Sequence, residues 1–130
     1  MAADLSTPEG ALKALEDAYV RKDIEAAVAA KDFRFEAREM LATHKQLSKP
    51  DEELVSQVAQ TLELAFRSQM KTSGFPDFNQ LRCAVTHKAQ LRPDLVELTE
   101  ECVFPDGGKS HQTLHAANSA GGWRIVIMPE

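Results

Sequence analysis

Glycine and proline are both absent between Gly10 and Pro50, and absent again between Pro50 and Gly74. All the breakers after that fall at short intervals: Pro76, Pro93, Pro105, Gly107, Gly108, Gly121, Gly122 and Pro129. The uninterrupted half can form long helices, and the punctuated half reads as strands joined by tight turns. Helices first and strands afterwards is the order of an α+β domain. It disfavours a doubly wound parallel sheet, which needs the two to alternate.

Four helices follow from caps and spacing. Thr7 can cap the first, Pro8 suits its first position, and Leu12, Leu15, Ala18 and Tyr19 form an apolar stripe before Arg21-Lys22 end it. Asp23 can cap a short helix from Ile24 to Ala30, and Asp32 a third from Phe33 through Leu41. Pro50-Asp51-Glu52-Glu53 opens the fourth. Its predicted buried face is Leu54, Val55, Val58, Leu62, Ala65 and Phe66, and Gly74 stops it. Four strands follow: Arg82 to Leu91, Val96 to Phe104, Lys109 to Ala117, and Trp123 to Ile127. Pro93-Asp94 and Pro105-Asp106-Gly107-Gly108 supply turns.

The chain has 130 residues, enough for one core, so residues 1–130 read as a single domain. With 43% hydrophobic and 27% charged residues the composition is that of a folded globular domain. No apolar run is long enough to span a membrane, and the first residues lack the basic start and apolar core of a secretory leader. The expectation is a cytoplasmic protein with no membrane partner. A net charge of −5 argues against nucleic-acid binding, which needs clustered Lys and Arg. Cys83 and Cys102 then read as reduced thiols.

Pairing the first two strands across a two-residue Pro93-Asp94 turn sets Arg92 opposite Leu95, Val85 opposite Cys102, Ala89 opposite Leu98 and His87 opposite Glu100. One titratable pair, His87 with Glu100, would then sit on an apolar face that also carries Val85 and Leu98. An imidazole and a carboxylate in an apolar concavity can serve as acid and base; they can equally be a satisfied structural pair. A pocket between sheet and helices would draw on Tyr19, Val85, His87, Leu98, Glu100 and Trp123, although Tyr19 and Trp123 also read as core.

Other chemistry finds little support. In a strand, His111 and His115 are about 13 Å apart, too far to share one metal ion. The glycines sit in hairpins rather than at a strand-to-helix junction, so no phosphate cradle is expected. No cofactor and no metal are expected. The outer sheet face is predicted to carry Glu97, Thr99, Glu101, Gln112 and Leu114, a mixed surface that permits a homodimer or a monomer.

Three groups of residues carry a family resemblance. The stretch Thr7 to Tyr19 followed by Lys22-Asp23-Ile24, and the closing Gly121-Gly122-Trp123-Arg124-Ile125-Val126, resemble the nuclear-transport-factor-2-like superfamily. Lys31-Asp32-Phe33 with Glu36-Ala37-Arg38, Gly74-Phe75-Pro76-Asp77-Phe78 and Phe104-Pro105-Asp106-Gly107-Gly108 look like its predicted immunity-protein branch, from bacterial polymorphic toxin systems. The resemblance implies a cone: N-terminal helices packed on a curved four-stranded antiparallel sheet. It also implies a non-enzymatic protein that neutralises a cognate toxin. A net charge of −5 would steer the chain toward a basic partner, with Asp51, Glu52, Glu53, Glu97 and Glu101 as candidate contacts; a solvated surface explains each of them equally well. The alternative is a small-molecule binder or a proton-transfer enzyme of the isomerase or dehydratase kind. The enzymes of the fold resemble sites with tyrosine donors, and this chain has a single tyrosine outside the sheet. The fold usually carries an early strand, for which only Phe33-Arg34-Phe35 is available, and that stretch reads better as helix.

Overall fold

A computed structural model describes residues 4–44, 51–78, 80–119 and 121–128. Pro50 and Pro129 lie outside them. Four helices, α1 (Pro8–Arg21), α2 (Ile24–Ala29), α3 (Phe33–His44) and α4 (Glu52–Ser73), precede four strands, β1 (Arg82–Arg92), β2 (Leu95–Val103), β3 (Lys109–Asn118) and β4 (Trp123–Val126). The strands form one antiparallel sheet in the order β1-β2-β3-β4. Phe33-Arg34-Phe35 is helical, and the early edge contact is a single parallel bridge from Lys31 to Ile125.

The helix starts follow the local chemistry. Thr7 accepts from the Gly10 amide at 2.9 Å, Asp23 from Ala26 at 3.1 Å, Asp32 from Phe35 at 3.0 Å and Asp51 from Glu53 at 3.0 Å. Each satisfies an amide that the helix leaves without an internal partner. Gly74 ends α4 at φ 82°, donating its amide to Met70.

Three packed layers result. Ala11, Leu12, Leu15 and Ala18 of α1 lie on Val96, Leu98, Ala116 and Ile125 of the sheet's inner face. Each fully buried large aliphatic there contributes roughly 1.5–3 kcal/mol. Phe33, Ala37 and Leu41 of α3 pack on Val55 and Ala59 of α4, so α4 stacks on α3 and not on the strands. Ala65 is therefore exposed, against the predicted face, and Ala59 is buried in its place. Phe35 reaches the opposite side of the sheet, where it covers Leu95, Ala117 and Val126.

The Lys31-Asp32 motif ties these layers together. Lys31 and Glu36 form an ion pair of 2.9 Å with both side chains buried. The same Glu36 oxygen accepts the Ile127 amide, and Asp32 accepts the Ser119 hydroxyl as well as the Phe35 amide. Backbone bonds from Asp32 to Ile125 and from Ile125 to Ala30 complete the latch between α2, α3 and β4.

The pairing of β1 with β2 departs from the predicted register. Arg92 does face Leu95, but the ladder shifts between Gln90 and Arg92 and again between Val85 and His87. Two single-residue bulges restore the original parity only beyond the second. Cys83 and Val85 keep their inward direction, while the stretch between the bulges is inverted. His87 therefore lies opposite Thr99, exposed on the outer face, and Val85 takes the place across from Glu100. The expected His87–Glu100 pair does not form. Lys88, expected outward, faces Leu98 and reaches Glu9 of α1 at 3.3 Å.

β3 also corrects the predicted outer face. Gln112 lies across from Glu100 and Leu114 across from Leu98, so both point inward. The outer face carries His111, Thr113 and His115 beside Glu101, Thr99 and Glu97. His111 contacts Glu101 at 2.9 Å and His115 contacts Glu97 at 3.5 Å. Finally, Cys83 and Cys102 are directly opposite and joined as a disulfide, not two free thiols. The second bulge is what brings them level.

Candidate functional site

A cleft of about 360 Å³ runs between α1 and the inner face of β1 and β2. Its walls are apolar where Leu12, Phe78, Leu81 and Val85 meet, and acidic where Glu16 of α1 meets Glu100 of β2. The Cys83 half of the disulfide forms part of the wall beside Glu100.

Glu100 is 2% exposed and its Oε1 accepts from the Gln112 side chain at 2.6 Å. Gln112 stands directly across on β3, so the sheet register itself supplies the donor. Glu16 comes from α1, one turn after Leu12, on the edge of the apolar stripe. Burial, followed by a hydrogen bond to Glu100 and repulsion from Glu100 and Asp17, pushes its carboxyl up to about 9. A proton held on Glu16 removes the repulsion between the two carboxyls. Glu16 Oε2 is buried and has no hydrogen-bond partner among the described residues. Tyr19, on the next turn, is pushed up to about 12 by burial and by the neighbouring Glu16.

The predicted pocket residues divide. Val85 and Glu100 line the cleft, and His87 lies outside it on the other face. Leu98 is fully buried core, and Trp123 packs against the same core. Tyr19 borders a separate cleft of about 170 Å³, stacked on Phe78 with ring centres 6.0 Å apart and tilted against Phe75 at 6.1 Å. The acidic residues proposed as partner contacts have local neighbours. Asp51 caps α4, Glu52 binds Arg34 and Arg38, and Glu97 and Glu101 each face a histidine. Glu53 is exposed in the first turn of α4.

Sequence reasoning missed Glu16, Gln112 and the disulfide. A carboxylate flanked at helical spacing by Leu12, Leu15 and Tyr19 was a usable signal for Glu16. Gln112 and the disulfide depended on register, which the bulges hide. Among the described residues the one trio with ligand atoms close enough for a metal ion is Cys83, Glu100 and Cys102, all within 4.8 Å. The disulfide bond occupies both sulfurs and leaves that trio with one free carboxylate.

Comparison with known proteins gives the fold a context. No family model matches the sequence, and no curated protein matches it. Among solved structures, one described as a calcium/calmodulin-dependent protein kinase type II association domain, from Thiobacillus denitrificans, has 13% sequence identity and a TM-score of 0.54, covering 96% of this chain and 94% of that one. One described as an NTF2-like transpeptidase, from Campylobacter jejuni, has 14% identity and a TM-score of 0.47, covering 94% and 99%. An NTF-2-like protein of unknown function from Shewanella oneidensis has 15% identity and a TM-score of 0.46, covering 88% of each chain. At such identities likeness speaks to fold alone, and the first of these establishes it. The expected α+β arrangement, N-terminal helices packed on a four-stranded antiparallel sheet, holds. None of these three structures is described as an immunity protein.

Proposed function

We propose that this chain is a small-molecule-binding domain that holds its ligand in the α1–sheet cleft against the Glu16–Glu100 carboxyl pair. The observation that supports this is the buried Oε2 of Glu16, which has no hydrogen-bond partner among the described residues, beside the buried Glu100. A polar atom left without a partner away from water is costly, and a ligand that bonds to it removes that cost. The cleft volume of about 360 Å³ is within the ordinary range of ligand sites. With one proton on the pair, the site presents a donor and an acceptor together, so it can also exchange a proton with what it binds.

The test is a screen of small neutral, cationic and anionic aromatic and alicyclic compounds, read by backbone amide shifts. Compounds that bind should move the amides of Glu16, Val85 and Glu100 as a group, and Glu16→Gln should weaken them. If no compound moves that group of amides, the cleft is not a binding site.

Toxin neutralisation is supported by the resemblance of the loop motifs and by the net charge of −5. The ion pairs of Glu52 with Arg34 and Arg38 leave less free acidic surface for a basic partner than the sequence suggests. Co-expression with a toxin domain encoded next to this chain decides it: undiminished killing and no complex would dispose of the immunity reading.

A further inference from the structure

The charge on the cleft walls narrows the class of ligand. Four carboxyl groups line it, Glu9, Glu16, Asp17 and Glu100, against one cation, Lys13. Of these, Glu9 is paired with Lys88 of β1. Lys13 is exposed on α1, whereas Glu100 is buried at the floor with Glu16 beside it. The potential therefore grows more negative inward, and the walls there are Leu12, Leu81, Phe78 and Val85. Burial strengthens this field because little water screens it. An anion entering would meet two carboxyls without a compensating cation. A hydrated metal ion would gain nothing from the apolar walls.

We infer that the cleft selects organic cations: a protonated amine on a small apolar body, its ammonium donating to the Glu16 and Glu100 carboxyls while the body packs on the aliphatic and aromatic walls. This rests on the cleft being a binding site and adds the charge class of what enters it. An ammonium supplies several donors, enough for the buried Oε2 of Glu16, once the side chain turns toward the cleft, and for an oxygen of Glu100. It also replaces the proton on the pair. Glu16 faces Glu100 from β2 and Asp17 and Tyr19 from its own helix, with Lys13 and the Glu9–Lys88 pair further out. A cation set among these groups cancels the repulsion that keeps Glu16 protonated at neutral pH. Binding the amine should therefore expel close to one proton. The bookkeeping is simple: the protonated pair plus an ammonium gives two carboxylates around the ammonium, and one proton passes to solvent.

Benzylamine, benzyl alcohol and benzoate share one ring and differ in charge, so they are the probes. Benzylamine should bind at least about ten-fold more tightly than benzyl alcohol, since a charge-assisted hydrogen bond is the stronger kind, and benzoate should bind least. In weakly buffered solution at neutral pH an indicator dye should report close to one proton released per benzylamine bound. Glu16→Gln should abolish that release, while circular dichroism shows the fold intact. Equal or tighter binding of the alcohol or of benzoate overturns the cation inference and leaves the cleft reading standing. Amine binding without proton release overturns the exchange at the carboxyl pair. If none of the three moves the cleft amides up to its solubility limit, the cleft reading falls and the inference with it.

Discussion

The carboxyls of Glu16 on α1 and Glu100 on β2 meet across the seam where the helix lies on the sheet, and Gln112 from β3 holds the second in place. Glu100 is buried there, so the pair sits where charge is poorly solvated. That arrangement makes the cleft sensitive to pH and gives the first prediction.

Folding moves the Glu16 carboxyl from an ordinary 4.5 to about 9. Its folded value is raised, so the folded state holds the proton more tightly than the unfolded chain does. The group costs no stability below its unfolded value, and stability declines as pH rises from there toward the folded value. Wild type should lose stability between about pH 5 and 9 more steeply than Glu16→Gln, which carries no charge to bury. Solvent screening at this partly exposed group discounts the shift, so the extra loss of the wild type over that range should be on the order of 1.4 kcal/mol, the worth of one unit. Urea titrations at several pH values measure it; parallel pH profiles would show that Glu16 ionises freely in the fold.

The Cys83–Cys102 bond closes a loop with a sequence separation of 19. A cross-link of this span stabilises by about 3 kcal/mol, mainly by restricting the unfolded chain. Cys83→Ser with Cys102→Ser, or reduction by a dithiol, should lower stability by that order. Denaturation with and without dithiothreitol tests it, and an unchanged midpoint in the wild type would mean the bond is absent in solution.

The Lys31–Glu36 pair is buried on both sides. Lys31→Met leaves the Glu36 carboxylate without its cation and should cost roughly 3–5 kcal/mol. Adding Glu36→Gln removes the stranded charge yet keeps an oxygen for the Ile127 amide. The double variant should recover part of the loss. A double variant less stable than Lys31→Met alone would show that the two residues do not act as a pair.

Gly10 lies where the incoming chain crosses α1. A β-carbon there would stand 2.0 Å from the Asp4 carbonyl oxygen, a backbone atom that cannot swing aside. Alanine favours a helix by up to about 1 kcal/mol over glycine, but here the overlap should outweigh it, for a net loss of about 1–2 kcal/mol. Gly10→Ala should also speed exchange of the Trp123 amide, which donates to Leu5 at 2.7 Å. A raised melting temperature would contradict the close approach.

All four helices and all four strands were readable from the residues, because their signals are local. Thr7, Asp23, Asp32 and Asp51 each cap the helix they precede, and the breakers after Gly74 lie at the ends of short segments. The spacing of Leu12, Leu15 and Ala18 identified the buried face of α1 without reference to what covers it. The Lys31-Asp32 and Glu36 residues stood out as a motif, but their work as a latch between α2, α3 and β4 involves Ser119, Ile125 and Ile127, far along the chain.

The order of elements, the fold class and most of the core were thus determined by the sequence alone, since capping, periodicity and chain breaking act over a few residues. The site was decided only by tertiary structure. Two bulges invert the stretch between them, which turns His87 outward and lets Lys88 reach Glu9; together they shift the ladder by two residues, which sets Val85 opposite Glu100 and Cys83 opposite Cys102. Strand alternation has a period of two, so each extra residue reverses every side chain beyond it, and nothing in the local sequence of β1 marks where that happens. Glu16 joined the site for a similar reason: a helix position becomes a buried acid only when a sheet bearing another carboxyl is laid against it.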